Sequence, residues 1–300
     1  MSNRFNFFHS PVFAVVMASC LVAACDKGSE VAPAAETNAA REAVEAAEPE
    51  EAAGANAAPP ITPQHAVISE RLPYAEVGEE LVYGHFVFPA DMVEPLPAVI
   101  VIHEWWGLND TVQAMADRLA AEGYIVLAVD LFGGKIATSV AEARKLTIDV
   151  VEDRERAEEN IRQAYQFVDS VAEAPTVGSL GWGFGGGWSL NTALLFPDDL
   201  DAMVIYYGQV TSDDEELRPL DVPILGFFGD KDRATPISSA MEFEDALARL
   251  RKNYAVHIYP GAKESFADPT ARTYDAEFAE DAWQKTLEFF GENLVVPTAE

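Results

Sequence analysis

The chain has 300 residues, of which 50 are acidic and 20 are basic, so its formal net charge at pH 7 is −30. Such a charge repels phosphate groups, which excludes nucleic acid as a partner, and it opposes adsorption to anionic lipid. The two cysteines are Cys20 and Cys25. The rest of the chain therefore contains neither a disulfide nor a thiol nucleophile.

An apolar run over residues 12–24 follows Arg4 and is suited to a signal peptide, being too short for a stable membrane span. It leads into the sequence LVAAC at 21–25, which resembles the lipobox of bacterial lipoproteins. The resemblance implies cleavage before Cys25, lipidation of Cys25 and a periplasm-facing, membrane-anchored protein of the cell envelope. Asp26 resembles an inner-membrane retention signal. The alternative is an ordinary secretory signal in which Cys25 has no role.

The next segment differs sharply in composition from the rest of the chain. Residues 25–70 are dominated by Ala, Glu and Pro and have almost no large apolar side chains. Such a segment cannot bury enough surface to offset its chain entropy. It predicts a disordered tether that begins at the lipidated Cys25, after a signal peptide over residues 1–24. Residues 71–300 have a length typical of one domain.

Within residues 71–300, predicted strands alternate with predicted helices. Short apolar runs typical of strands buried on both faces occur from 98 onwards. The strands are predicted at 81–88, 98–103, 124–129, 177–181, 202–207, 223–229 and 255–259, and the helices at 111–122, 153–171, 237–250 and 274–290. This alternation predicts an α/β fold with a mostly parallel sheet and helices on both faces, whose functional site lies at the carboxyl ends of the strands.

Residues 177–188, with the sequence VGSLGWGFGGGW, have the form of a nucleophile elbow. In that motif, G-x-nucleophile-x-G, a strand enters a sharp turn that presents a Ser or Cys at the start of a helix. Here the nucleophile position holds Gly183, which has no side chain. The same residues also contain G-x-G-x-x-G, the spacing of a dinucleotide-binding turn. The acidic residue expected after the next strand is absent, which disfavours that reading.

Four segments together resemble the dienelactone hydrolase family. They are HEWWGLN at 103–109, the elbow, GDKD at 229–232 and YPGAKESF at 259–266, in this order within about residues 75–292. The resemblance implies an α/β-hydrolase fold and hydrolysis of small-molecule esters or lactones. It also implies a catalytic triad of Cys or Ser, Asp and His. We expect neither a cofactor nor a metal ion.

The resemblance places the triad at three positions of this chain, and two of them are substituted. The nucleophile position is Gly183, the acid position is Asp232, and the histidine position is Glu264. Triad catalysis needs an attacking group, a base and an acid that orients the base, so loss of two members removes the usual mechanism.

Three further residues are assigned by the same resemblance. Glu104 matches a family glutamate that contacts the nucleophile, and the backbone N–H groups of Trp105 and Phe184 would form the oxyanion hole. The rings of Trp105 and Phe184 could line an apolar pocket beside it. His103, at the end of a buried strand, is interpreted as a core histidine rather than a catalytic one.

Two functional hypotheses follow. The first is a degenerate hydrolase, a pseudoenzyme that retains a pocket for a small ester, lactone or similar molecule. The second is an active hydrolase in which Glu264, beside Asp232, activates a water molecule in the space above Gly183.

Overall fold

The computed structural model describes residue 63 and residues 65–296 of the chain. The strands of this part are β1 (Val67–Val77), β2 (Glu80–Pro89), β3 (Ala98–Ile102), β4 (Ile125–Val129), β5 (Val177–Trp182), β6 (Ala202–Tyr206), β7 (Ile224–Gly229) and β8 (Tyr254–Tyr259). Its helices are α1 (Asp110–Ala121), α2 (Val140–Glu152), α3 (Arg154–Gln166), α4 (Phe184–Leu195), α5 (Asp214–Leu217), α6 (Ile237–Leu250) and α7 (Ala276–Asn293), with a π-helical turn, Phe167–Val171, after α3.

These strands form one sheet, with the spatial order β1-β2-β4-β3-β5-β6-β7-β8. The hairpin of β1 and β2 is antiparallel, and β2 also pairs antiparallel with β4. Every pairing from β4 through β3, β5, β6 and β7 to β8 is parallel. The predicted α/β class, with a mostly parallel sheet, is confirmed.

An apolar core lies on each face of the sheet. Successive residues of β3 point to opposite faces, so Ile100 and Ile102 pack into one core, while Val99 and Val101 pack into the other. Helices α2, α3, α4 and α6 complete the first core, and α1 and α7 complete the second. Because the central strands are buried on both sides, their sequences are almost entirely apolar, which made them predictable.

The structure departs from the sequence prediction at the start of the domain. Strand β1 begins at Val67 and pairs with β2 from the Val67–Pro89 register onwards, so ordered structure starts before residue 71. This strand lies at the sheet edge, its first seven residues are exposed or partly buried, and its register shifts between Pro73 and Ala75. Its apolar pattern is therefore too weak to read from sequence. Helices α2 and α5 were also not predicted.

In the part of the chain that the structure describes, no helix is both long enough and apolar enough to cross a bilayer. The predicted signal peptide, Cys25 and residues 26–62 of the predicted tether fall outside the described residues.

Candidate active site

The sheet topology brings the predicted site residues to one edge. Strands β3, β5, β6, β7 and β8 are consecutive neighbours and run parallel, so their carboxyl ends lie side by side. Gly183 directly follows β5, whereas Glu104 follows β3 by two residues, Asp232 follows β7 by three and Glu264 follows β8 by five. The predicted convergence of these loops on one sheet edge is confirmed.

The turn between β5 and α4 has the backbone shape of a nucleophile elbow. Gly183 has φ +52° and ψ −115°, a conformation that L-residues rarely adopt. Its N–H donates a hydrogen bond to the carbonyl of Tyr206 at 2.9 Å, which ties the turn to the neighbouring strand. Helix α4 begins at the next residue, Phe184, where backbone N–H groups have no carbonyl partner within the helix.

The glycines of this turn serve different purposes. A Cβ on Gly181 would overlap the carbonyl of Gly185, and a Cβ on Gly185 would overlap the carbonyl of Ile102. Both glycines therefore permit close backbone packing. A Cβ on Gly183 would meet nothing nearer than the Tyr207 ring at 4.0 Å. The fold leaves room for a side chain at the nucleophile position, and this chain has none there.

Glu104 is buried beside this space and is held by Tyr207. The Tyr207 hydroxyl donates a hydrogen bond to Glu104 Oε1 at 3.0 Å. Burial, followed by the nearby Glu104 carboxylate, raises the pKa of Tyr207 well above its ordinary value, so Tyr207 stays protonated and acts as a donor. Tyr207 itself has φ +40°, and its N–H donates to the carbonyl of Phe227. The Tyr207 ring thus forms one wall of the space above Gly183.

Asp232 is held in a defined orientation by its own loop. Its Oδ1 accepts hydrogen bonds from the N–H groups of Ala234 at 2.8 Å and Thr235 at 3.0 Å. The Thr235 hydroxyl in turn donates to the carbonyl of Tyr207 at 3.2 Å. Asp232, which the sequence predicts at the acid position, is therefore buried, and its loop is bonded to the residue Tyr207.

The loops that carry Asp232 and Glu264 are bonded to each other. The Lys231 N–H donates to the carbonyl of Ala262 at 2.9 Å, and the Gly261 N–H donates to Asp230 Oδ1 at 2.6 Å. This second bond lowers the pKa of Asp230. Glu264 is partly exposed, whereas the adjacent Ser265 is buried with φ +59°. The histidine position therefore lies on a loop anchored to the acid loop.

A model of the dienelactone hydrolase family matches residues 83–294, from β2 to just beyond α7. The chain belongs to this family. Protein usf of Aquifex pyrophilus is 32% identical over 207 residues, which cover 66% of this chain and 89% of that protein. Members of the dienelactone hydrolase family hydrolyse small-molecule esters or lactones.

Solved structures of the dienelactone hydrolase family share this fold. A dienelactone hydrolase from Anabaena variabilis has a TM-score of 0.59 and 20% identity, covering 77% of this chain and 100% of its own. A dienelactone hydrolase-like promiscuous phosphotriesterase from metagenomic libraries has a TM-score of 0.69 and 23% identity, covering 76% of this chain and 99% of its own. At these identities the similarity shows the α/β-hydrolase fold.

The rings of Trp105 and Phe184 pack mainly against other aromatic residues. Trp105 is buried, with its ring 5.1 Å from Trp106. Phe184 is partly buried, with its ring 5.5 Å from Phe132 and 6.3 Å from Trp188. The side chains of Trp105 and Phe184 therefore have a packing role. The predicted oxyanion role concerns only the backbone N–H groups of these two residues.

A pocket next to the elbow is lined by other residues. It has an empty volume of about 340 Å³, part of which is open solvent. Its walls include Glu104, Asn109, Met115, Trp182, Tyr207 and Asp268, so it shares Glu104 and Tyr207 with the space above Gly183. Burial raises the pKa of Asp268, whose Oδ1 accepts hydrogen bonds from the N–H and hydroxyl of Thr270. Among the described residues, no cluster of three or more His, Cys, Asp or Glu side chains is arranged to hold a metal ion.

Tyr207 and Asp268 were not predicted as site residues. Tyr207 directly follows β6, so the rule that sites form at the carboxyl ends of parallel strands could have found it. Asp268 lies four residues after Glu264, in a loop whose path across the site is not evident from its sequence.

Proposed function

We propose that this protein is a degenerate member of its family, which binds a small ester, lactone or similar molecule at the elbow without triad catalysis. One observation carries the proposal: Gly183 has the elbow backbone, with room for a side chain, but has no attacking group. The presence of Glu264 where the family has a histidine agrees with this proposal, because an attacking group also requires a base. The preserved elements are Asp232, Glu104 and the backbone of the turn.

A second candidate function follows from the same open space. A water molecule could occupy the volume above Gly183, with Glu264 as general base and the N–H groups of Trp105 and Phe184 stabilising the oxyanion. The observation that favours it is the 4.0 Å separation between a Cβ built on Gly183 and the nearest atoms of Tyr207.

Turnover of an activated aryl ester by the purified wild-type domain separates these two functions. For a degenerate hydrolase we expect no burst of product and a steady rate that Glu264→Gln changes by less than about twofold. General-base catalysis typically contributes about 10²- to 10⁴-fold, so the water mechanism requires a large loss in the same variant. Glu288→Gln, on the surface of α7, is the matched control. A fast wild type that Glu264→Gln inactivates, with Glu288→Gln unaffected, would refute the degenerate assignment.

We also propose that the protein is a lipoprotein of the bacterial cell envelope that faces the periplasm. The support is the sequence: the apolar run over 12–24 and the LVAAC segment. A net charge of −30 would not favour adsorption to anionic lipid, so the acyl chains on Cys25 would provide the attachment.

The anchoring proposal predicts that Cys25→Ser releases the protein from the membrane or blocks its processing. Membrane and soluble fractions from the full-length chain, with metabolic labelling by a fatty acid, would measure this. Cys20→Ser is the matched control, because Cys20 lies within the segment that would be removed. Normal processing of Cys25→Ser with continued membrane attachment would contradict the proposal.

A further inference from the structure

Both ring nitrogens of His103 have hydrogen-bond partners, and the proposed function does not use this residue. It is fully buried directly after β3. Its Nδ1 lies 2.7 Å from the carbonyl oxygen of Glu104, and its Nε2 lies 3.1 Å from the backbone N of Leu131. A carbonyl only accepts and a backbone N–H only donates, so the partners define one neutral tautomer, protonated at Nδ1.

Burial keeps this imidazole neutral. It lowers the pKa of His103, while the charge of Asp130, whose Oδ1 lies 3.9 Å from Nε2, acts in the opposite direction. Asp130 is itself held, because its carboxylate accepts hydrogen bonds from the N–H groups of Phe132 and Gly134. The Phe132 ring lies 4.6 Å from the imidazole. The hydrogen bond to Glu104 is thus donated by a group with a fixed position and a fixed protonation state.

The bonded carbonyl belongs to the same peptide unit as the N–H of Trp105. In a planar trans peptide, the C=O and the following N–H point in opposite directions. A donor that fixes the direction of the Glu104 carbonyl therefore fixes the opposite direction of the Trp105 N–H. The Gly107 N–H also donates to the Glu104 carbonyl oxygen, at 3.0 Å, and closes the turn over residues 104–107. The hydrogen bond from His103 ties the Glu104–Trp105 peptide to the end of β3.

We propose that His103 is a positioning residue, which orients the Glu104–Trp105 peptide so that the Trp105 N–H faces the space above Gly183 as an oxyanion donor. The role of the Trp105 N–H as an oxyanion donor rests on the proposed function. The orientation of this N–H by His103 does not. The His103 ring also lies 6.0 Å from the stacked ring of Phe184, whose N–H is the second proposed donor. One buried imidazole thus bonds to the peptide unit of the first proposed donor and stacks on the side chain of the residue that carries the second.

Two substitutions separate the two hydrogen bonds of His103. An Asn side chain can place an amide N–H near the Nδ1 position, which keeps the donor to Glu104 and loses the acceptor for Leu131. A Gln side chain reaches the Nε2 position, which keeps an acceptor for Leu131 and loses the donor to Glu104. In the isotope-labelled domain, we expect His103→Gln to shift the Glu104 carbonyl ¹³C and Trp105 amide ¹⁵N signals. His103→Asn should leave both near their wild-type values.

A ligand measurement tests the function of that orientation. Phenylphosphonate, whose anionic tetrahedral head resembles an oxyanion intermediate, is titrated while the Trp105 and Phe184 amide signals are followed. We expect His103→Gln to weaken the binding of phenylphosphonate by about tenfold, which corresponds to the loss of one well-oriented hydrogen bond to a charged group. His103→Asn should weaken it by less than about threefold, because this variant keeps the donor to Glu104. A merely structural role would weaken binding in both variants in proportion to their loss of thermal stability.

The possible outcomes are distinguishable. Unchanged Glu104 and Trp105 signals in His103→Gln, or equal shifts in both variants, would overturn the inference. If the wild type does not bind phenylphosphonate but the signals shift as expected, the use of the Trp105 N–H as an oxyanion donor fails and the positioning role stands. If His103→Gln does not fold, ¹⁵N spectra of the wild-type imidazole decide. Protonation at Nδ1 with a scalar coupling to the Glu104 carbonyl supports the inference, and the other tautomer refutes it.

Discussion

The double substitution Gly183→Cys and Glu264→His is expected to raise aryl-ester hydrolysis by about 10³-fold or more over the wild-type protein, whereas each single substitution gains little. A thiol without a base is weakly activated, and a histidine without a nucleophile can only act on water. Members of a catalytic triad act as a unit, so their effects are strongly non-additive. Steady-state kinetics of the four proteins, with a test for a product burst, measures this.

The space at residue 183 and the orientation of Asp232 both favour a working triad in the double variant. A Cβ at residue 183 has no neighbour within 4.0 Å except the Tyr207 ring, so a thiol would fit without displacing the fold. Asp232 is already oriented by the N–H groups of Ala234 and Thr235 and could orient the introduced histidine. The cost is conformational: a side chain at φ +52° should lower the free energy of unfolding by about 1–3 kcal/mol.

The matched control for the new thiol is Gly187→Cys combined with Glu264→His. Residue 187 lies one turn along α4, where a Cβ would make only ordinary contacts with Gln209 at 3.5 Å. This control should remain as slow as the wild type. A double variant that folds, exposes its thiol to labelling and stays inactive would show that the cleft is remodelled beyond the triad positions. The assignment of oxyanion donors to Trp105 and Phe184 would then be dropped.

The parts of the fold that were predictable share a physical cause. Strands β3, β4, β5, β6 and β7 are buried on both faces and therefore have long apolar runs, and α6 has a well-separated apolar face. The less predictable elements depend on tertiary context. Strand β1 is stabilised by pairing with β2 at the sheet edge, and α5 is a four-residue helix stabilised by the Asp213 side chain at its N-cap.

The candidate site was predictable where residues follow strands directly and less so where it depends on side-chain geometry. Strand ends placed Gly183 and Asp232 at one edge of the sheet, while the family resemblance supplied the triad positions predicted for them. The role of Tyr207 depends on the hydrogen bond between its hydroxyl and Glu104, residues 103 positions apart in sequence. His103 was correctly predicted to be a buried core histidine. The hydrogen bond that gives it a further role joins its imidazole to the next residue's carbonyl and depends on side-chain orientation, which composition does not reveal.

In the glycine-rich sequence after β5, we expect Gly185→Ala to destabilise the protein strongly and Gly187→Ala to have no such effect. A Cβ at residue 185 would overlap the backbone carbonyl of Ile102 and approach that of His103. Ile102 is the last residue of β3 and His103 follows it, so this backbone cannot move without disturbing the hydrogen bonds of the sheet. We expect a loss of about 3 kcal/mol or more in the free energy of unfolding, since overpacking against backbone cannot be relieved by a rotamer change.

Gly187→Ala provides the comparison within the same helix. Its Cβ would lie 3.5 Å from the carbonyl of Gln209, an ordinary van der Waals distance, and alanine favours a helix over glycine by about 1 kcal/mol. It should therefore leave stability unchanged or raise it, as measured by chemical denaturation. Equal, small effects of both substitutions would mean that α4 is not held tightly against β3. In that case, the elbow could not hold the Phe184 N–H in a fixed place, and the proposed oxyanion hole on which the water mechanism depends would lose its structural basis.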